Sequence, residues 1–314
     1  SFKKILKTNS IAKIFNIKTK RHRFLAICIH FSANSLFAQQ VENKPQGAEF
    51  VGTATKHEYV PSIASRSTLV RPEYKVEEMM DGRAPKKDGR ASRYDVIPGK
   101  GSEGPDVLAE NPHYLKNTIP TRMPSLVFET GASGSQPTDP AGAVGPNHYI
   151  SVINTAFQIF DKDGNSLTGG LVSPNPTIFP SGGCCDLTAS YDNAADRWVL
   201  TFLGAGAQVA VSDGPNPMTA GWNVYTYGFV NDYQKLSVWS DGYYMTDNTG
   251  SANKVYAFER DQMLAGAAAG SVGSQQFNLP GLVTSGFHSP QVLNVSNNDF
   301  PAAGGATVVY MQDD

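Results

Sequence analysis

The sequence lacks the short motifs that mark the common enzyme classes. Its 314 residues contain no Gly-x-Ser-x-Gly, no His-Glu-x-x-His and no phosphate-binding Walker loop. Serine-hydrolase, zinc-protease and nucleotide-dependent functions therefore have little support. Only His148 and His288 lie beyond residue 120, which leaves few positions for acid–base chemistry by histidine.

Cysteine is scarce, with Cys28, Cys184 and Cys185 the only three in the chain. No Cys-x-x-Cys pair and no nearby histidine completes a tetrahedral zinc site. Two adjacent cysteines cannot join distant parts of a fold. Cys184 and Cys185 are therefore expected either to form a vicinal disulfide or to stay reduced in a tight turn of small residues, and the turn is favoured.

A long apolar run is missing as well. The stretch Phe24–Ala38 falls short of the roughly 20 apolar residues that span a bilayer comfortably. It follows eight basic residues and no acidic residue between Ser1 and Arg23. A basic region, a short apolar region and a small residue are the parts of an export signal, so residues 1–38 are predicted to be a signal peptide. An uncleaved anchor and a misread start are the alternatives.

Removal of the signal leaves an acidic chain. The signal holds 8 of the 26 Lys and Arg residues and none of the 28 Asp and Glu residues, so 18 basic residues face 28 acidic ones, a net charge of −10. Such a surface repels phosphate, and we expect no nucleic-acid partner. We expect a secreted or cell-surface protein with no stable membrane span after cleavage.

The composition changes near residue 120. Residues 39–120 are rich in Lys, Arg, Glu, Gly and Pro, and they bury too little apolar surface to offset the entropy of ordering. We predict a linker or loosely ordered extension there, in which Phe50–Ala54 can still dock as an edge strand. Ser125–Glu129, just after it, can do the same. Residues 121–314 instead alternate β-branched and aromatic runs with Gly, Asn, Asp and Pro turns, which predicts strands.

An aromatic residue that follows a polar turn recurs along this second region. Tyr149, Trp198 and Tyr243 are spaced 49 and 45 residues apart, close to the roughly 40 to 50 residues of a propeller blade. We therefore predict an all-β protein whose residues 121–314 form an incomplete β-propeller of about three to four blades. A β-sandwich is the alternative, and the fixed period argues against it. Because the chain starts at Ser1 without Met and stops inside a blade, we expect it to be a fragment at both ends.

Four motifs carry a resemblance to a known family, and they cover the region from Pro137 to Asp314. The sequence resembles a family of large secreted bacterial proteins, common in marine Bacteroidetes. The resemblance implies a β-propeller, often followed by a C-terminal sorting domain for type IX secretion, which this sequence does not display. The family has no settled activity, so it implies no catalytic residues. The motifs are Asp139–Tyr149, Tyr191–Trp198, Asp232–Tyr244 and Val255–Arg260.

Aspartates at the start of the repeats are the candidate metal ligands. Asp139, Asp186, Asp192 and Asp196 would supply the oxygen ligands that Ca²⁺ prefers if they converge on one rim. Asp residues beside tight turns more often accept hydrogen bonds from their own backbone, and this alternative is favoured. Calcium is the one candidate cofactor.

Three residues are candidate ligand contacts. Trp222 follows a loop and is expected to offer an exposed ring to a sugar, whereas Trp198 and Trp239 lie in apolar runs and are expected in the core. Arg197 can bind an anionic sugar or pair with its own neighbours. His148 can act at the axis or pack against the next blade.

The leading functional hypothesis is a secreted, non-catalytic binding or scaffold module whose ligand is a glycan or a protein. The first alternative is a secreted hydrolase or lyase that acts on polysaccharide or peptide at an axial site. The second is a surface-layer or adhesin component. No catalytic residue is predicted.

Overall fold

The computed structural model describes residues 47–72 and 124–309, without 136, 231, 248–253, 280–289, 298 and 303. The predicted signal peptide and most of the predicted extension lie outside the described residues. The strands are β1 (Phe50–Thr53), β2 (Lys56–Val60), β3 (Ala141–Val144), β4 (His148–Ile153), β5 (Ala156–Asp161), β6 (Cys185–Asp192), β7 (Arg197–Gly204), β8 (Gly206–Ser212), β9 (Trp222–Tyr227), β10 (Lys235–Val238), β11 (Tyr243–Thr246), β12 (Lys254–Phe258), β13 (Gly273–Asn278), β14 (Gln291–Val292) and β15 (Val308–Val309), and the short helices are α1 (Pro174–Thr177) and α2 (Arg260–Leu264).

The strands form several antiparallel sheets, which confirms the predicted all-β class. The first sheet has the order β3-β4-β5, and the second has the order β6-β7-β8-β9-β2. The third has the order β10-β11-β12-β13-β1, and the fourth pairs β14 with β15. Strand β3 contacts β6, β6 contacts β10, and β10 contacts β14, so the first strands of successive sheets are neighbours.

The second sheet is buried on both faces. Trp198 and Leu200 of β7 belong to a core cluster shared with the first sheet. Val199 of β7 belongs to a second cluster, which includes Tyr243 and Met245 of the third sheet. Successive side chains of a strand point to opposite faces, and a strand buried on both faces needs an almost continuous apolar run. The sequence of β7 supplies one.

Residues 48–72, which we call the N-terminal strap, run across the sheets in reverse order. Strand β1 pairs with β13 at the edge of the third sheet, and β2 pairs with β9 at the edge of the second. Farther along, Val70 accepts a backbone hydrogen bond from Ser173 at 2.9 Å, beside the first sheet. Phe50–Thr53 thus docks as an edge strand, as the sequence allowed, whereas Ser125–Glu129 forms no strand.

Candidate functional site

A cleft of about 390 Å³ lies between the first sheet, the second sheet and α1. Its size falls within the range of small-molecule sites. All the residues that line it are uncharged, and the strap contributes Pro72. The side chains that give the cleft its chemistry are those of Ser135, Thr155, Ser173, Asn175, Cys184 and Phe202.

Hydrogen bonds between the lining residues hold the polar groups of the cleft in place. Thr155 lies in the turn between β4 and β5, and its Oγ1 is 2.7 Å from Oγ of Ser135. At the start of α1, Ser173 donates from Oγ to the carbonyl oxygen of Asn175 at 2.7 Å. The side chain of Asn175 is exposed. These groups offer both donors and acceptors to a bound molecule.

The wall of the cleft that belongs to the second sheet carries a disulfide between Cys184 and Cys185. Of the two states that the sequence left open, the structure has the vicinal disulfide and not the favoured reduced turn. Just before the disulfide, the backbone of Gly183 passes very close to β7. A Cβ atom added to Gly183 would lie only 2.6 Å from the carbonyl oxygen of Leu203. Cys184 is exposed and Cys185 is half-buried.

A separate charged cluster surrounds Lys235 at the start of the third sheet. Burial lowers the pKa of the Lys235 ammonium group, and the charges of Asp186, Asp139 and Asp232 oppose that shift. Burial likewise raises the pKa of the Asp186 carboxyl group, although the positive charge of Lys235 acts to lower it. The Lys235 ammonium also lies 3.3 Å from the centroid of the Tyr233 ring.

The repeat explains why these aspartates lie near one another. Asp139 and Asp232 lie just before β3 and β10, Asp186 is the second residue of β6, and these three strands are neighbours. Asp139 and Asp186 adopt positive φ angles of 41° and 55°, a conformation that Asp tolerates better than most residues. The sequence named these two as ligand candidates but missed Asp232 and Lys235. Both residues lie in the motif Asp232–Tyr244, which could have pointed to them.

The other two candidate metal ligands lie elsewhere. Asp186 and Asp192 are at opposite ends of β6, about 20 Å apart at the usual rise per residue. Asp192 is paired with Arg260, and Asp196 accepts a hydrogen bond from the hydroxyl group of Tyr191. Among the residues that the structure describes, no group of three or more His, Cys, Asp or Glu side chains is placed to hold a metal ion.

The three predicted ligand contacts are not in the cleft. Trp222 is 0% exposed, so the expectation of an exposed ring is wrong. It is the first residue of β9, paired with Ser212, and it points into the core. Arg197 donates to the carbonyl oxygens of its neighbours Ala195 and Asp196. His148 is half-buried opposite Asp161, and burial is the main cause of its lowered pKa.

Within the described ranges, no helix is long and apolar enough to cross a membrane. Of the two sites described above, the uncharged cleft has the size of a ligand pocket, and the Lys235 cluster has shifted pKa values. Comparison of the chain with protein-family models, with curated proteins and with solved structures finds no significant match.

Proposed function

We propose that this chain is a secreted, non-catalytic binding module of the β-propeller type, and that its cleft binds a neutral glycan. The observation that carries the proposal is a cleft of about 390 Å³ whose lining is entirely uncharged and rich in hydroxyl groups. Secretion is supported by the basic and apolar segments of residues 1–38. The motif resemblance to secreted Bacteroidetes proteins supports the same setting.

The propeller arrangement is supported by the order of the sheets. Antiparallel sheets follow one another along the chain, and the first strand of each contacts the first strand of the next. In a propeller each sheet is a blade, and the inner strands surround an axis. The N-terminal strap would then lie on the outer edges of successive blades.

The chemistry of the cleft favours a sugar over a charged ligand. Hydroxyl and amide groups from Ser135, Thr155 and Asn175 match the hydroxyl groups of a pyranose as donors and acceptors. Pro72 of the lining is half-buried and offers apolar surface to the C–H face of the ring, whereas Phe202 is 2% exposed and forms the floor of the cleft. A charged ligand would lose water without gaining an opposite charge, which is costly.

The test is binding of the full chain to a panel of neutral and acidic oligosaccharides, followed by titration calorimetry of the best ligand. We expect a neutral ligand to bind, and Asn175→Ala and Thr155→Val each to weaken it about fivefold, since each removes one hydrogen-bonding group. Gln262→Ala removes an exposed amide on α2 and is expected to bind as the wild type does. Binding of acidic glycans alone would refute the proposal.

A second function, hydrolysis or elimination at the Lys235 cluster, is favoured by one observation. Asp186 and Lys235 are close enough to influence each other, and burial pushes both towards their neutral forms, as acid–base catalysts require. The test is turnover of the same oligosaccharide panel by the wild-type chain and by Asp186→Asn. Turnover that is lost in Asp186→Asn, while circular dichroism shows an unchanged fold, would favour this enzyme over the binding module. No turnover by the wild-type chain would count against it.

A further inference from the structure

The disulfide between Cys184 and Cys185 is not placed to hold the fold together. It joins consecutive residues, so it restricts the unfolded chain very little. Hydrogen bonds fix the same segment without it. The Cys184 amide donates to the carbonyl oxygen of Leu203 at 2.8 Å, and the Asp186 amide donates to Oδ1 of Asn154 at 2.5 Å. The bond can therefore open and close while β6 stays in its sheet.

One cysteine of the pair is more open to solvent than the other. Cys184 is exposed and lines the cleft, whereas Cys185 is half-buried at the start of β6. Gly183 has no side chain that could cover Cys184, and the structure leaves no room for a Cβ atom at that position. Thiol–disulfide exchange depends on access to the sulfur that is attacked. The cleft provides that access for a molecule of small size, and its uncharged lining favours a neutral one.

We propose that Cys184–Cys185 is a reversible redox site that exchanges with small neutral thiols, and that the attack falls on Cys184. The thiolate of the small molecule forms a bond to Sγ of Cys184 while the protein disulfide breaks. Cys185 leaves as a thiolate and takes a proton from water. A second small thiolate then attacks the small molecule's sulfur in the mixed disulfide, which releases Cys184 and an oxidised dimer of the small thiol. Two small thiols lose two electrons, and the protein disulfide gains them.

The probe is 2-mercaptoethanol, added to the native full chain and quenched at intervals with iodoacetamide. A tryptic digest isolates the pair from Cys28, since residues 163–197 contain both members of the pair. Fragmentation of that peptide between Cys184 and Cys185 in the mass spectrometer then shows which of the two carries the adduct. We expect an early mixed disulfide on Cys184, then two alkylated cysteines, and recovery of the disulfide when 2-hydroxyethyl disulfide is added. Reduction that occurs only in urea, or an early adduct on Cys185, would overturn the proposal.

Single-cysteine variants provide the matched control. Cys185→Ser leaves the exposed thiol, and Cys184→Ser leaves the half-buried one. We expect the first to form a mixed disulfide with 2-hydroxyethyl disulfide about tenfold faster than the second, because access limits the reaction. Equal rates would contradict attack at Cys184. The double variant should melt within a few degrees of the wild type, and a large drop would mean that the disulfide is a structural staple instead.

Discussion

Arg260 and Asp192 form a bidentate ion pair that joins α2, which follows β12 of the third sheet, to β6 of the second sheet. Nε of Arg260 lies 2.6 Å from Oδ2 of Asp192, and its Nη2 lies 3.0 Å from Oδ1. The hydroxyl group of Tyr243 donates to the same carboxylate at 2.8 Å. Asp192 is fully buried, so its charge depends on these partners.

We predict that removal of either partner of this pair is strongly destabilising. Asp192→Leu or Arg260→Met should each lower the free energy of unfolding by about 3–5 kcal/mol. Arg260→Met leaves the buried Asp192 without its ion pair, and Asp192→Leu leaves Arg260 with its 3.4 Å contact to the exposed Asp261. The double variant should recover most of that loss. Urea denaturation measures all three.

The control for the ion pair is Glu58→Gln, which breaks the more exposed contact with Lys56 at 2.8 Å and should cost about 1 kcal/mol or less. A double variant as unstable as the single ones would show that the side chains contribute chiefly by other contacts.

A second prediction concerns pH. Burial raises the pKa of Asp247 to about 6, although Tyr256 and the Lys254 amide donate hydrogen bonds to it. An aspartate carboxyl in the unfolded chain has its ordinary pKa of 3.8, so folding takes up a proton between these values. The contribution to stability is complete below the unfolded pKa and is lost as the pH rises through about 6, by up to about 3 kcal/mol.

Asp247→Asn should remove this part of the pH dependence, since the amide does not titrate. The measurement is the free energy of unfolding of both proteins from pH 4 to pH 7, and their difference is the readout. Asp163→Asn, at an exposed turn position, is the control. Parallel curves for wild type and Asp247→Asn would contradict the raised pKa.

The N-terminal strap is predicted to contribute to stability through its buried side chains. Ile63 is 1% exposed and belongs to the core cluster between the first and second sheets. Ile63→Ala should therefore cost about 2–5 kcal/mol. Val51→Ala, at a strap position that is 68% exposed, should change stability by less than about 1 kcal/mol. Equal effects in chemical denaturation would mean that the strap is not packed as described.

Asn154 links the first sheet to the second through hydrogen bonds, so its substitution should destabilise both sheets. Its Nδ2 donates to the carbonyl oxygen of Pro137 at 3.2 Å, and its Oδ1 accepts from the Asp186 amide. Asn154→Ala should lower stability by about 1–3 kcal/mol, because a buried amide loses its acceptor. The exposed Asn297 is the comparison, and Asn297→Ala should melt close to the wild type. If Asn154→Ala lowered the melting temperature no more than Asn297→Ala does, Asn154 would not link the two sheets as described.

The local features of the fold were predictable from the sequence. The apolar run of β7 predicted a buried strand, and Trp198 is in the core as expected, whereas Trp239, expected there as well, is half-buried. Asp161 accepts hydrogen bonds from the amides of Asp163 and Asn165, which is a turn of the Asp, Gly and Asn kind that the composition of residues 121–314 predicted. These features depend on neighbours in the chain, so a short stretch of sequence encodes them.

Features that depend on distant partners were missed. Trp222 was expected to follow the loop with an exposed ring. Asp213 and Gly221 close that loop with hydrogen bonds at 2.9 Å and 2.8 Å, and the Trp222 ring is buried in the core. The strap pairs with strands that lie far along the chain. Arg260 reaches a carboxylate 68 residues away. No local pattern specifies which strand or charge such a segment meets.

A crystal structure of the chain with its tightest-binding neutral oligosaccharide would show whether the uncharged cleft is the ligand site. We expect density for a sugar ring within hydrogen-bonding distance of Thr155 and Asn175, beside the Cys184–Cys185 disulfide. Density at the Lys235 cluster with an empty cleft, or the absence of any neutral ligand in the panel, would contradict it.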